Sequence, residues 1–260
     1  MDLKELHISD KDSKRHPWEE IRAEVIIDIL TKEFPELIKK AISVFDIGCG
    51  DTYLIEKLSI KFPEWKFFAI DNAFTNQELE YLKSKYKASP ISVFNSIENA
   101  CQEGGRAELV LLLDVLEHIE KDIDFLNDLK SQPFVQDETG FLITVPAFKH
   151  LFSSHDVFLG HYRRYTNKSL KKTILSAGLK PVELGYFFSS LLIPRLFQAA
   201  YEKIAPAASS KGVAEWKGNR ITSFIFKNIL RFDYFTTYLL KKGGVKLPGL
   251  SNYAICKKPV

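Results

Sequence analysis

Short apolar runs alternate with stretches of helical periodicity along most of this chain. Residues 109–113 are continuously apolar, which is typical of a strand buried on both faces of a sheet. After such runs, leucine and isoleucine recur three or four residues apart, as on the buried face of a helix. The predicted strands comprise residues 44–47, 66–71, 90–94, 109–113, 140–146, 181–188 and 251–257. Strands that alternate with helices predict an α/β fold with a doubly wound sheet.

The two ends of the chain depart from this alternation. A polar arm precedes Pro17, where proline and two glutamates suit the first turn of a helix that extends to about Leu37. Aliphatic and aromatic residues then recur at helical spacing late in the chain, in two helices joined by a small-residue linker at 206–218. We expect one domain, with an arm and lid helix at 1–40, a core at 41–190, a helical insertion at 191–247 and a final strand at 248–260.

A glycine turn follows the first predicted strand, where residues 46–50 read Asp-Ile-Gly-Cys-Gly. Glycines allow a sharp turn and let a ligand lie against bare backbone. Helical spacing resumes at Leu54, so the free N–H groups of a helix start can face an anionic or hydroxyl-rich ligand. A dinucleotide site would need a third glycine where Tyr53 stands, and no phosphate-binding G-x-x-x-x-G-K-[ST] string follows. The sequence therefore argues against a dinucleotide-binding site and against a phosphate-binding loop of the G-x-x-x-x-G-K-[ST] type.

Asp71 ends the second predicted strand, beside the glycine turn in an open sheet of this kind. An ionised carboxylate only accepts hydrogen bonds and can take both from a ribose diol. We therefore predict that Asp71 binds a ribose. The alternative is a helix cap or a solvated turn residue.

Two strings resemble motifs of class I S-adenosylmethionine (SAM) dependent methyltransferases. The turn at 46–50 resembles their first motif, although Thr52 stands where many members have a glycine. Asp-Val-Leu-Glu-His at 114–118 closely resembles the fourth motif of many small-molecule members, and it follows at the distance seen in that family. The resemblance implies SAM as the cofactor. It also implies a Rossmann-like, doubly wound, seven-stranded sheet whose last strand is antiparallel. The helical insertion, which the periodicity predicts, precedes that strand.

By this resemblance, several residues at strand ends belong to the cofactor site. They are Asp46, Gly48, Cys49, Gly50, Asp71, Asn95, Ser96, Asp114, Val115 and Leu116. Asn95 or Ser96 contacts the adenine or forms a plain turn. His118 lies at the mouth of the site or packs on the sheet. His16, Trp18 and Arg22 resemble a cluster on a helix that closes over the cofactor; the alternative is a plain lid on the sheet.

The loop at 147–166 leaves the fifth strand where an acceptor would bind. Its string Gly-His-Tyr-Arg-Arg-Tyr-Thr at 160–166 is similar to a subgroup of bacterial class I methyltransferases, several of which modify polysaccharides or lipids. His155 or His161 could remove a proton from an acceptor hydroxyl, or could only brace the loop. Arginines could bind an acceptor carboxylate or phosphate, although adjacent residues rarely face the same way. The substrate-binding candidates are His118, Tyr162, Arg163, Arg164, Trp18 and Arg22.

The amino-acid composition of the chain limits the kinds of ligand and cellular location that we expect. The 260 residues carry 36 Lys+Arg and 33 Asp+Glu, a net charge of +3 that is too slight to indicate nucleic acid. Three distant cysteines without a C-x-x-C pair indicate no disulfide framework and no zinc knuckle, and we expect no metal. The charged N-terminus and the lack of long apolar runs predict a cytoplasmic protein.

The insertion at 191–247 has more than one possible role. Its apolar faces predict a cover for the substrate pocket or a homodimer interface. The alternative is a peripheral membrane contact, with Lys241, Lys242 and Lys246 beside apolar residues.

The sequence as a whole therefore predicts a bacterial SAM-dependent methyltransferase that acts on a small-molecule acceptor by direct in-line displacement. A sugar, polysaccharide or lipid-linked intermediate is the expected acceptor. A noncatalytic SAM-binding or scaffold protein is the first alternative, and an NAD-dependent oxidoreductase the second. Methylation of DNA bases is disfavoured because no N/D-P-P-Y/F string follows the fourth strand.

Overall fold

A seven-stranded sheet with the order β3-β2-β1-β4-β5-β7-β6 forms the centre of the molecule. The computed structural model describes residues 15–103, 105–204, 216 and 218–259. β7 is antiparallel to both of its neighbours, and the remaining pairs are parallel. The strands are β1 (Ser43–Ile47), β2 (Lys66–Ile70), β3 (Ile91–Phe94), β4 (Ala107–Leu113), β5 (Val135–Pro146), β6 (Lys180–Phe187) and β7 (Ser251–Lys257). The predicted Rossmann-like fold class with an antiparallel last strand is confirmed.

Helices connect most of the strands, one helix precedes the first strand, and two helices lie between the last two strands. In chain order they are α1 (Pro17–Glu33), α2 (Tyr53–Lys61), α3 (Asn76–Lys85), α4 (Ile97–Glu103), α5 (Asp122–Lys130), α6 (Ser154–Leu159), α7 (Asn167–Ser176), α8 (Leu192–Ile204) and α9 (Arg220–Lys242). Short 3-10 turns occur at Leu116–His118 and Lys149–Leu151. No helix among the described residues combines the length and the apolar character that crossing a lipid bilayer requires.

The sheet is covered on both faces, so its central strands β1 and β4 are almost fully buried. Successive residues of β1 show this, because Val44 packs in one apolar cluster and Phe45 in the other. The first cluster lies under α1, α2, α3 and α9, and the second lies under α4, α5 and α7. This two-sided burial explains the continuous apolar runs in the sequence.

The N-terminal helix starts where predicted and ends earlier. Nδ1 of His16 accepts a hydrogen bond from the backbone N–H of Trp18, which caps the helix start. The prediction that the helix extends to about Leu37 is wrong. The helix ends at Glu33 because Phe34 precedes Pro35, and a residue before proline is driven out of the helical conformation.

Helix α9 of the insertion packs against α1 through polar pairs. Arg231 donates two hydrogen bonds to the carboxylate of Glu24, at 2.7 and 2.6 Å. The hydroxyl of Tyr234 donates to Asp28 at 2.5 Å. The insertion is therefore attached to the lid helix. The predicted N-terminal arm, up to residue 14, and most of the predicted linker at 206–218 lie outside the described residues.

Candidate functional site

The chain turns sharply at the carboxyl end of β1. Gly48 and Gly50 have φ angles of +75° and +59°, in the left-handed region that favours glycine. The N–H of Gly48 donates to the carbonyl oxygen of Ile70 at 2.8 Å, which ties the bend to β2. A Cβ atom on Gly48 would lie 2.7 Å from Cγ2 of Val115, at the end of β4. The bend therefore presents bare backbone between the ends of three strands.

The Asp71 carboxylate lies directly beside this bend. Its Oδ2 accepts a hydrogen bond from the N–H of Gly50 at 2.9 Å, and its Oδ1 accepts one from the N–H of Ala73 at 3.0 Å. Each carboxylate oxygen can accept more than one hydrogen bond, so both retain capacity for ligand hydroxyls. The side chain is half-buried, and the structure thus brings Asp71 and the glycine turn together as the sequence predicted.

Asp46 is a buried acceptor just before the bend. It is 2% exposed, and its Oδ1 has no hydrogen-bond partner. Burial raises the pKa of Asp46 to about 7, with Arg22 opposing the shift and Asp71 reinforcing it. Buried polar atoms are nearly always satisfied, by protein, water or ligand. An unsatisfied oxygen next to a cradle that a Cβ would fill fits a cofactor that brings hydrogen-bond donors, as the amino-acid end of SAM does. Cys49, within the same bend, is buried.

Thr52 takes the conformation that glycine would take in a glycine-rich turn. Its φ angle is +61°, which is rare for a β-branched residue. The buried side chain is held by a 2.6 Å hydrogen bond between its hydroxyl and that of Tyr86. Arg15 pairs with Asp51 in the same turn, and its guanidinium lies over the Tyr53 ring. These contacts let the turn form without a third glycine.

The end of β4 is connected to the N-terminal helix. Arg22 of α1 forms an ion pair with Asp114 Oδ2 at 2.8 Å, and the Thr144 hydroxyl donates to Asp114 Oδ1 at 2.9 Å. Asp114 has a φ angle of +61°, and Leu116 is fully buried beneath the turn. Arg22 thus lies beside the predicted cofactor residues. Trp18 is partly buried and packs against the core rather than standing in the open.

The two residues predicted to contact the adenine both accept hydrogen bonds from a residue close to them in the chain. Asn95 Oδ1 accepts a hydrogen bond from the Asn99 side chain at 3.1 Å. Ser96 Oγ accepts one from the backbone N–H of Asn99 at 3.2 Å. Both residues are half-buried, and their positions at the strand end are compatible with a ligand in the same crevice.

Asp156 organises the loop that follows β5. This buried carboxylate accepts hydrogen bonds from His161 Nδ1 at 2.8 Å, from Arg164 Nε at 2.8 Å and from the Ser153 N–H at 2.9 Å. Burial opposes its charge, but the His161 hydrogen bond and the Arg164 charge outweigh burial and hold the pKa of Asp156 below its usual range. The Arg164 side chain is only 6% exposed and braces this network.

The other substrate candidates of this loop are placed differently. Arg163 pairs with Asp122 at 3.0 Å and also donates to the Glu120 carbonyl. Tyr162 is 55% exposed. His155 is half-buried, and burial, with the Arg195 charge added, lowers the pKa of His155. Both adjacent arginines are thus engaged within the chain, while Tyr162 and His155 have exposed surface.

Sequence reasoning missed Glu117. This carboxyl is 1% exposed, neither of its oxygens has a hydrogen-bond partner, and burial together with the charge of Asp114 raises its pKa well above the usual value. The rings of His118 and His161 meet beside it, edge to face, with centroids 4.5 Å apart. The signal was present in the string at 114–118, where the glutamate was given no role.

Comparison with known proteins agrees with this geometry. A family model described as a methyltransferase domain matches residues 18–184, which decides against the dinucleotide alternative. No curated protein matches the chain in sequence. The final segment, with the insertion and β7, lies beyond the family match.

Solved structures share the fold at low sequence identity. A SAM-dependent methyltransferase from Archaeoglobus fulgidus gives a TM-score of 0.50 at 15% identity, over 92% of this chain and 97% of that chain. Phosphoethanolamine N-methyltransferase 2 from Haemonchus contortus gives 0.55 at 14% identity, over 96% of this chain and 55% of that chain. The (4+2)-cyclase SpnF gives 0.55 at 10% identity, over 96% and 85%.

The family match spans more than half of the chain, and the sheet order and glycine bend agree with it. This chain therefore belongs to the methyltransferase domain family and is a class I methyltransferase whose cofactor is SAM.

Proposed function

We propose that this enzyme binds SAM at the β1 bend and transfers its methyl group to a small molecule held over the carboxyl ends of β4 and β5. The 2.9 Å hydrogen bond from Gly50 to Asp71 is the observation that carries the proposal. It places a carboxylate for a ribose diol next to backbone that approaches a ligand without side chains. Together they match the two polar ends of SAM.

Each cofactor residue has a role in this proposal. Asp71 accepts hydrogen bonds from the ribose hydroxyls, and Asp46 accepts from donors at the methionyl end. Asn95 and Ser96 border the adenine. The remaining residues line the cofactor with backbone or apolar surface, and they are Gly48, Cys49, Gly50, Asp114, Val115 and Leu116.

Positioning is the main catalytic task of the chain. SAM, when bound, supplies a methyl group that is already activated on a sulfonium. The protein holds the acceptor atom in line with that methyl group, and such positioning can contribute about 7 to 11 kcal/mol. A general base adds about 10²- to 10⁴-fold in rate. His155 or His161 supplies that base, and loss of one histidine leaves residual activity.

The acceptor is proposed to be a sugar, a polysaccharide or a lipid-linked intermediate. The loop at 160–166, similar to that of polysaccharide- and lipid-modifying enzymes, supports this choice. Exposed Tyr162 and half-buried His118 offer an aromatic and a polar surface next to the site. Trp18 and Arg22 close it from α1, and Arg163 and Arg164 hold the loop in shape. We place this activity in the cytoplasm, in a single domain.

Helices α8 and α9 carry an apolar stripe that nothing in the described residues covers. On α9 this stripe lies apart from the buried side, which includes Leu230. The exposed residues are Ile193, Leu196, Phe197, Tyr201, Ile204, Ile221, Phe224, Ile225, Ile229, Phe232, Phe235 and Leu239. Patches of this kind mark interaction surfaces. We infer a homodimer interface here, with peripheral membrane contact as the alternative.

The first prediction concerns the ribose ligand. Asp71→Asn keeps the shape of the side chain but removes its charge, and hydrogen bonds to charged groups contribute about 1.5 to 3 kcal/mol. We expect SAM binding, measured by titration calorimetry, to weaken about 10- to 100-fold. Asp137→Asn, at an exposed carboxylate, is the matched control. Equal affinities of the Asp71 variant and the parent would contradict the assignment.

The second prediction concerns pH. A general base acts only when neutral, so if His155 removes the proton, the rate rises with pH and levels off above its pKa. Because that pKa is lowered, the midpoint lies below about 6.5. His155→Gln should reduce the rate about 10²- to 10⁴-fold and remove this rise. S-adenosylhomocysteine formation with pooled sugar and lipid-linked acceptors is the assay, and exposed His150→Gln is the control. An unchanged pH profile would exclude His155 as the base.

The third prediction concerns the apolar stripe. Light scattering should give the mass of two chains, and Phe224→Asp combined with Phe232→Asp should return one chain, because charges in an apolar interface are not solvated. A monomer that sediments with anionic lipid vesicles would favour the membrane alternative. A monomer that does not sediment with the vesicles would refute both the homodimer interface and the membrane contact.

A further inference from the structure

Three potential metal ligands converge beside the proposed acceptor site. Glu117 and His118 lie in the 3-10 turn after β4, whereas His161 comes from the loop after α6. The backbone N–H of Tyr162 donates to the Glu117 carbonyl at 2.7 Å and holds that loop against the turn. One ligand atom from each of Glu117, His118 and His161 lies within 4.8 Å of the other two. The fold itself thus assembles the cluster.

Glu117 is the member that requires a partner. Its side chain is almost fully buried, and both carboxylate oxygens lack a hydrogen-bond partner. The charges of Arg22 and Arg164 act on Glu117, but each arginine forms its ion pair with another carboxylate. Arg22 pairs with Asp114 and Arg164 pairs with Asp156, each at 2.8 Å. A buried carboxylate without a partner is costly, and coordination of a cation removes that cost.

His161 is held in the orientation of a metal ligand. Its Nδ1 lies 2.8 Å from Asp156 Oδ1, which leaves Nε2 on the opposite side of the ring. Metal-binding histidines commonly donate their second ring nitrogen to a carboxylate in this way, and the carboxylate fixes both the tautomer and the ring orientation. Asp156 is therefore a positioning residue for the cluster.

We propose that Glu117, His118 and His161 bind one divalent transition-metal ion. Bonds of about 2.0 to 2.2 Å place two ligand atoms on one ion at most about 4 Å apart, so the cluster closes on the ion by less than about 1 Å. Two imidazoles and one carboxylate favour Zn²⁺, Mn²⁺, Fe²⁺ or Co²⁺ over Mg²⁺ and Ca²⁺, which prefer oxygen ligands. Three protein ligands leave coordination positions open. This proposal replaces the expectation from sequence that the chain binds no metal.

The role of the ion rests on the proposed function, although its binding does not. A bound divalent ion lowers the pKa of a coordinated hydroxyl. The acceptor hydroxyl then loses its proton to His155 or solvent, and its oxygen forms a bond to the methyl carbon. The bond from that carbon to sulfur breaks, and its electron pair stays on the sulfur of the departing S-adenosylhomocysteine. His161 in this arrangement is a ligand rather than the base.

The test uses the full chain, stripped of metal with a chelator. Titration calorimetry with Zn²⁺ and the visible absorption of added Co²⁺ should both report one site per chain. Glu117→Gln and His161→Gln should each weaken binding at least about 10-fold, the lower end of the loss seen even for residues that only support a ligand. Exposed Glu138→Gln and His150→Gln are matched controls that should retain parental affinity.

The outcomes separate this proposal from the cofactor assignment. Glu117→Gln replaces a buried carboxyl that has no hydrogen-bond partner with a neutral side chain of the same size, so its metal-free form should melt no lower than the parent, which guards against a folding defect. S-adenosylhomocysteine binding is measured in the same metal-free samples. Metal binding that persists in both ligand variants, or no binding by the parent, would overturn the proposal. Metal binding without cofactor binding would support it and contradict only the cofactor assignment.

Discussion

The hydrogen bond between the Gly50 N–H and the Asp71 carboxylate joins the ends of two neighbouring strands and fixes the shape of the bend between β1 and α2. The bend allows no side chain at position 48, because Val115, two residues after β4, occupies that space. Three strand ends therefore meet with bare backbone in the middle and a carboxylate on one side. In an open parallel sheet this is where the strand order reverses, and ligands bind at that crevice. The candidate cofactor residues at the ends of β1, β2 and β4 lie around this junction.

Charge pairing around the junction divides the polar residues into two groups. Arg22 and Arg164 neutralise Asp114 and Asp156. The first pair joins α1 to the end of β4, and the second braces the segment after β5 internally. Asp46 and Glu117 remain buried without such partners, and burial raises the pKa of each. The first group stabilises the folded chain. The second holds unsatisfied acceptors that a bound molecule or ion completes, which is typical of functional sites.

The sequence predicted the parts of this arrangement that depend on local pattern. Continuous apolar runs located the strands. The position of Asp71 at the end of the second strand predicted that its carboxylate lies beside the glycine turn. Resemblance to a family supplied the number of strands and the antiparallel direction of the last one, which no single run encodes. Partners from distant segments were not predictable, since nothing near Arg164 indicates that Asp156 will hold it. For the same reason Glu117 escaped notice, because its isolation and its proximity to His161 arise only when the loop folds over the turn. The left-handed conformation of Thr52 also depends on Tyr86, a tertiary contact.

A crystal structure of the chain with S-adenosylhomocysteine tests the central claim most directly. The account predicts that both ribose hydroxyls lie within hydrogen-bond distance of the Asp71 carboxylate, that the amino-acid end lies against Gly48, and that Asp46 gains a donor. A ligand bound elsewhere on the sheet, or one whose ribose does not contact Asp71, would contradict it.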